Sequence, residues 1–227
     1  MTDQSGARSL TERLFGWARG DSGRGEGERA TGPVVGTKAL GKFVKGLAGR
    51  EAPSLLDLGP VVGPNVSYFG EQLGCRLQVE DLYADIERVA ASDAYDTLPE
   101  LFATRFEGEP ESFDGILCWD VFDYLDKPSA QALAAALIPR LRPGGLLMAF
   151  FQIQANTAQS FTKYVIVDDT HLQNRTAPSA AARRTVFQNR DVERLFTGLS
   201  VTDSFLMLNR TREILLRKRQ PSAVRPS

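Results

Sequence analysis

The chain has little with which to bind a metal. It contains one histidine, His171, and two cysteines, Cys75 and Cys118. A histidine-based metal cluster is therefore excluded, and no Cys/His spacing suggests a zinc site. Both cysteines sit in apolar runs that read as buried strands. Net charge is also nearly absent: a formal charge of -1 with 42% hydrophobic residues suits an ordinary globular protein. That balance gives no support to a nucleic-acid-binding surface recognisable by charge. One local bias remains, where Arg210, Arg212, Arg217, Lys218, Arg219 and Arg225 face a single acid, Glu213, and it reads as a basic strand followed by a tail. No apolar run reaches signal-peptide or membrane-spanning length, which sets the expectation of a cytoplasmic protein without membrane contact.

A length of 227 residues accommodates one large α/β domain with loose ends. Residues 16–32, rich in glycine and charge, offer almost nothing to bury, so 1–36 is expected to be a mobile N-terminal segment. Leu10 and Leu14, four apart, could form one amphipathic turn within it. Order is expected from Thr37, where Ala39, Leu40, Phe43, Val44 and Leu47 recur at helical spacing, and a domain over 37–218 leaves 219–227 as a tail. The segments then alternate: strand 54–59, helix 65–73, strand 75–80, one or two helices near 86–102, a strand from Gly115, a helix begun by Pro128 and Ser129 and stopped by RPGG at 142–145, and a strand GLLMAFFQI. After Gln154 the rhythm weakens through a further strand at 164–169 and TAPSAAARR, which reads as an exposed loop. Asn189 is the expected N-cap of a short helix, and two strands around the turn Asn209–Arg210 close the chain as an antiparallel pair.

Such sheets hold ligands beyond the carboxyl ends of their strands. Gly59 lets the chain turn sharply after the first strand, Gly63 permits close approach of backbone to a ligand or helix, and helix amides near Pro64 and Asn65 face the same space. An acid at the end of the second strand is the second signature. Asp81 lies 24 positions after Asp57, near the roughly 20-residue spacing of ribose-binding acids; Glu80 is its rival, and Asp81 is preferred because it sits at the turn. A dinucleotide loop would need glycine at 59, 61 and 64, whereas the chain has Gly59, Val61 and Pro64, which argues against nicotinamide and flavin dinucleotides.

In order and spacing, LLDLGPVVG, VEDLY, FDGILCWDVFDYL and PRLRPGGLLMAFF resemble the motifs of class I S-adenosylmethionine-dependent methyltransferases over about residues 38–218. The resemblance implies a Rossmann-like α/β fold with a mostly parallel sheet and a C-terminal antiparallel pair. It also implies S-adenosylmethionine as cofactor, a small-molecule methyl acceptor and no nucleic-acid substrate; the Pro-Pro-aromatic motif of nucleic-acid methylation is missing beside the fourth strand. Carried over residue by residue, Asp57, Gly59 and Pro60 address the cofactor's amino-acid end, Gly63 its close approach, Asp81 and Leu82 the ribose, and Trp119 and Asp120 the methionine portion. Asp120, Asp123 and Tyr124 are candidates on the acceptor side, and Phe106 and Glu107 are candidates for the adenine contact at the end of a third strand. The helix near 37–49 and the insertion at 155–188 are expected to cover the acceptor.

Each residue has a plainer reading. Asp57 and Asp120 could cap loops, Trp119 could pack in the core with Leu117 and Val121 on one face, Tyr124 could be half-buried without function, and His171 is most simply a loop residue. Val61 departs from the family's usual glycine, and a non-catalytic, partner-binding relative is the alternative function.

Overall fold

The computed structural model describes residues 32–220, so the expectations for 1–31 and for the tail beyond 220 lie outside the described residues. The first element among the described residues is a short strand β1 (Val34–Gly36), ahead of the expected start at Thr37. Helix α1 (Ala39–Leu47) follows, burying Ala39, Leu40, Phe43 and Leu47. Its free N-terminal amides are satisfied by a distant acid, since Lys38 N and Ala39 N both donate to Glu213 Oε2 at 2.8 and 2.9 Å.

The central sheet has six strands in the order β3-β2-β4-β5-β9-β8. They are β2 (Ser54–Asp57), β3 (Arg76–Val79), β4 (Phe113–Trp119), β5 (Leu141–Gln152), β8 (Leu199–Leu206) and β9 (Thr211–Lys218). Pairing is parallel through β3, β2, β4 and β5, then antiparallel for β9 and β8. Every residue of β4 is buried, as expected of a central strand covered on both faces. A second sheet, ordered β1-β7-β6, contains the hairpin β6 (Ser160–Asp168) and β7 (His171–Pro178).

Helix α2 (Gly63–Val66) runs on as a π-helical turn, Ser67–Gln72. Helices α3 (Leu82–Ser92), α4 (Leu98–Arg105), α5 (Lys127–Leu137) and α6 (Asn189–Leu195) complete the described chain. One core joins α3, α4, α5 and α6 to the sheet through residues such as Leu56, Ile116, Phe122 and Leu147. The other joins α1 and the π-helical turn to the opposite face through Phe43, Leu55, Phe69, Leu117 and Phe150.

Several local expectations change. The third strand is absent among the described residues: Phe106 is the C-cap of α4 and buries against the helical core, and Glu107 follows in the loop. Leu98, Phe102 and Phe106, at four-residue intervals, are one helical face. Asp126 caps α5 by accepting from Ser129 N at 3.0 Å. RPGG does not stop that helix but bulges within β5, where the partner of Phe113 is Leu141 and that of Gly115 is Leu146. Gln188 caps α6 in a reciprocal capping box with Asp191, one residue before Asn189. Helix α1 packs on the sheet face, where a Cβ at Gly115 would lie 2.6 Å from Phe43 Cζ.

Candidate functional site

From β2 the chain steps to β3 on one side and later to β4 on the other. The strand order therefore reverses between β2 and β4, and the crevice at their carboxyl ends is where an open α/β sheet takes a ligand. Asp57 ends β2 and Trp119 ends β4, so the fold brings together residues 62 positions apart: Trp119 Nε1 donates to Asp57 Oδ1 at 2.6 Å. Gly59 N donates to the same oxygen at 2.9 Å. Gly59 is required here, because a Cβ would lie 2.9 Å from the Trp119 ring and 3.1 Å from that carboxylate. Burial pushes Asp57 up to about 6, against the lowering effect of these two bonds.

Gly63 behaves differently. A Cβ there would meet nothing within 4 Å, so close packing against a helix is not its reason, and the loop opens onto free space. The amides of Asn65 and Val66 do not face that space, since both donate to Val62 O. Val61 is exposed and Pro60 half-buried beside it. At the end of β3, Asp81 is half-buried and caps α3 by accepting from Ala84 N at 3.2 Å. Burial raises its pKa, opposed by the Ala84 and Tyr83 amides. Glu80 accepts from Gln78 Nε2 at 3.0 Å. Leu82 is a core residue with no exposed surface, and its amide donates to Leu58 O.

Trp119 adopts a left-handed backbone, φ 48°, which costs free energy in a bulky residue. That turn ends the alternation of β4, so Leu117 and Trp119 share one core while Val121 enters the other. The indole stacks on Tyr164 of β6, with centroids 5.3 Å apart and planes 7° apart. The hairpin is clipped over the site by Asn65, whose side chain donates to Tyr164 O and accepts from Ile166 N, both at 2.8 Å.

Asp120 and Asp123 are fully buried. Asp120 accepts from the Tyr83 hydroxyl and, at 2.6 Å, from Arg183 Nη2. Asp123 Oδ2 accepts from Gln152 N at 2.9 Å and lies 3.7 Å from Arg183 Nε. Burial, then the charge of Asp120, pushes Asp123 well above the usual carboxylate range. Burial and Asp120 likewise raise the Tyr83, Tyr124 and Tyr164 hydroxyls. Tyr124 is fully buried and donates to Ser160 O at 2.9 Å. Arg183 belongs to the run expected as an exposed loop, yet its side chain is only 9% exposed. His171 opens β7 and stays exposed beside Asp168.

The structure thus assembles Asp57, Gly59, Trp119, Asp120 and Asp123, and adds Tyr83, Tyr164, Arg183 and Asn65. The last four carry no local signal: their partners lie 37 to 101 positions away along the chain.

No protein-family model matches the chain, and no curated protein matches it. Solved structures do. A 1,6-didemethyltoxoflavin-N1-methyltransferase from Burkholderia thailandensis, solved with 1,6-didemethyltoxoflavin and S-adenosylhomocysteine, is 16% identical. Its TM-score is 0.50, covering 81% of this chain and 78% of that one. An S-adenosylmethionine-dependent methyltransferase from Clostridium acetobutylicum is 13% identical, with a TM-score of 0.48, over 82% of this chain and 93% of its own. The PH0226 protein of Pyrococcus horikoshii is 14% identical, with a TM-score of 0.47, over 78% and 89%. At such identities the first of these likenesses shows the fold. The chain has the Rossmann-like fold of class I methyltransferases, with a mostly parallel sheet and an antiparallel strand pair.

No helix among the described residues is long and apolar enough to cross a membrane.

Proposed function

We propose that the protein is an S-adenosylmethionine-dependent methyltransferase acting on a small molecule. One observation supports this above the others: a buried acid, a glycine turn and a second acid stand at the carboxyl ends of adjacent strands, beside the point where strand order reverses. The residues fit the cofactor by chemistry. Asp57 and the Gly59 backbone would hold its amino-acid end, the open space before Gly63 admits its approach, and Asp81 would accept from the ribose hydroxyls while Trp119 and Asp120 border the methionine portion.

When bound, S-adenosylmethionine supplies a methyl group already activated on a sulfonium. The protein's task is then alignment and exclusion of water, and well-aligned reactants can lower a barrier by roughly 7–11 kcal/mol. Tyr164 and the hairpin that carries it would exclude water from the end of β4. Asp120, Asp123 and Tyr124 would border the acceptor, Tyr124 as a hydroxyl that its raised pKa keeps protonated.

Calorimetric titration with S-adenosylmethionine and S-adenosylhomocysteine tests the reading, with nicotinamide dinucleotide as control. Binding of the first two alone is expected, and Asp81→Ala is expected to weaken it at least tenfold. Undiminished binding in that variant removes Asp81 from the site. Absence of binding by the native chain overturns the proposal in favour of the partner-binding alternative.

A further inference from the structure

The carboxyl end of β4 is closed by one guanidinium. Arg183 sits 2.6 Å from Asp120 and 3.7 Å from Asp123, with its guanidinium carbon 5.1 Å from the centre of the Tyr124 ring. The Tyr83 hydroxyl completes the wall by bonding to Asp120. Two buried carboxylates and an aromatic face are the chemistry that recognises a cation, through charge-assisted hydrogen bonds and the negative face of the ring.

The fit of Arg183 is incomplete. Asp123 Oδ1 and Arg183 Nε are both buried without a hydrogen-bond partner, so the cage offers an acceptor that its occupant does not use. Cage and occupant also belong to different parts of the fold. The acids and Tyr124 follow the central strand, whereas Arg183 arrives on residues 179–188, which form no helix or strand. That segment is anchored in the core by Ala181 and Phe187, with Phe187 O accepting from Arg212 Nη2 at 2.6 Å, and Arg183 lies on the stretch between these anchors. Arg184 N and Thr185 N donate to Asp123 O at 2.7 and 3.3 Å, Thr185 Oγ1 donates to Leu125 O at 2.7 Å, and the Arg184 guanidinium lies over Tyr95.

We propose that the cage of Asp120, Asp123, Tyr83 and Tyr124 is a cation subsite for the methyl acceptor, and that Arg183 is its displaceable resident. The acceptor is then a small molecule carrying a guanidinium or ammonium group. Once the segment lifts, a neutral or anionic acceptor would leave the buried carboxylate of Asp120 without a cationic partner, whereas a cation restores the pairing. The assignment to the acceptor rests on the methyltransferase reading; the existence of the subsite does not.

The test uses the full chain with ethylguanidinium as probe and neutral ethylurea as control. Arg183→Gly is expected to bind ethylguanidinium at least tenfold more tightly than ethylurea and to regain thermal stability with the former alone; Arg183→Gln serves the same comparison should the glycine variant not fold. In the native chain, ethylguanidinium is expected to speed amide hydrogen exchange across residues 179–188, which a merely structural arginine would not allow. Equal binding of the two probes, or unaltered exchange in the native chain, overturns the subsite. Displacement of ethylguanidinium from the variant by S-adenosylmethionine but not by S-adenosylhomocysteine would assign the cage to the donor's sulfonium and overturn the acceptor assignment. Failure of the chain to bind either cofactor form refutes the methyltransferase reading alone and leaves the probe results standing.

Discussion

Asp57 is a carboxylate that the fold keeps reluctant to ionise. Its pKa rises from 3.8 to about 6 because burial outweighs the bonds from Gly59 and Trp119. A raised folded-state pKa means that folding is favoured while the group is protonated. The advantage is complete below about pH 4 and is lost as pH rises through about 6, a difference of about 3 kcal/mol. Asparagine keeps an oxygen for both donors and never ionises. Asp57→Asn is therefore expected to match the native protein at pH 4 and to exceed its stability by up to about 3 kcal/mol at pH 7. Denaturant unfolding at the two pH values checks this. Asp57, Gly59 and Asp120 were legible in the sequence because a buried run ending in an acid before a turn is a local pattern. Arg183 was not: it sits among small and polar residues, and what buries it lies 63 positions earlier.

At the scale of elements, one buried side chain ties the middle of β6 to the helix that follows β2. Asn65 satisfies two backbone groups of β6 from within the buried region. Asn65→Ala leaves an amide and a carbonyl without partners, which costs about 2–4 kcal/mol in sum. The expected fall in Tm is roughly 4–16 °C for a domain of this size, measured by thermal unfolding. Asn65→Asp, which sets a buried carboxylate oxygen against Tyr164 O, is expected to fall at least as far. Most elements are readable from the sequence pattern, since 115–119 and 146–151 are apolar runs and α3 and α5 place their buried residues on one helical face. Phe106 and Glu107 follow no strand, because Phe106 continues the buried helical face of Leu98 and Phe102, a spacing that crosses the end of the helix expected at 86–102. The loop after β7 differs from its expectation because its composition is polar while its contacts are buried.

Over the whole molecule, the two ends of the sheet do different work. At the amino end of β4, Asp114 is buried and joins three segments: it accepts from Arg50 at 2.6 Å, Arg142 at 2.7 Å and Ser54 N at 2.8 Å. Burial alone would raise its pKa, but the Ser54 amide and the two arginines more than offset that and hold it low. Its contribution is therefore present at neutral pH and lost as pH falls through its depressed pKa, opposite in sign to Asp57. Asp114→Asn is expected to cost about 2–3 kcal/mol while leaving affinity for S-adenosylhomocysteine unchanged, because the proposed crevice is at the other pole of the sheet. Thermal unfolding and calorimetry on the same variant separate the two effects.

The stacking of Trp119 between Asp57 and Tyr164 gives the protein an optical reporter. Only one other tryptophan, Trp17, is present, so a Trp17→Phe variant emits from the crevice alone. Its indole shares a hydrogen bond with the titrating carboxylate and lies flat against a tyrosine of the covering hairpin. Ionisation of Asp57 and filling of the proposed crevice would each alter that emission, the first with pH and the second with occupancy, which makes the site readable in real time without a label.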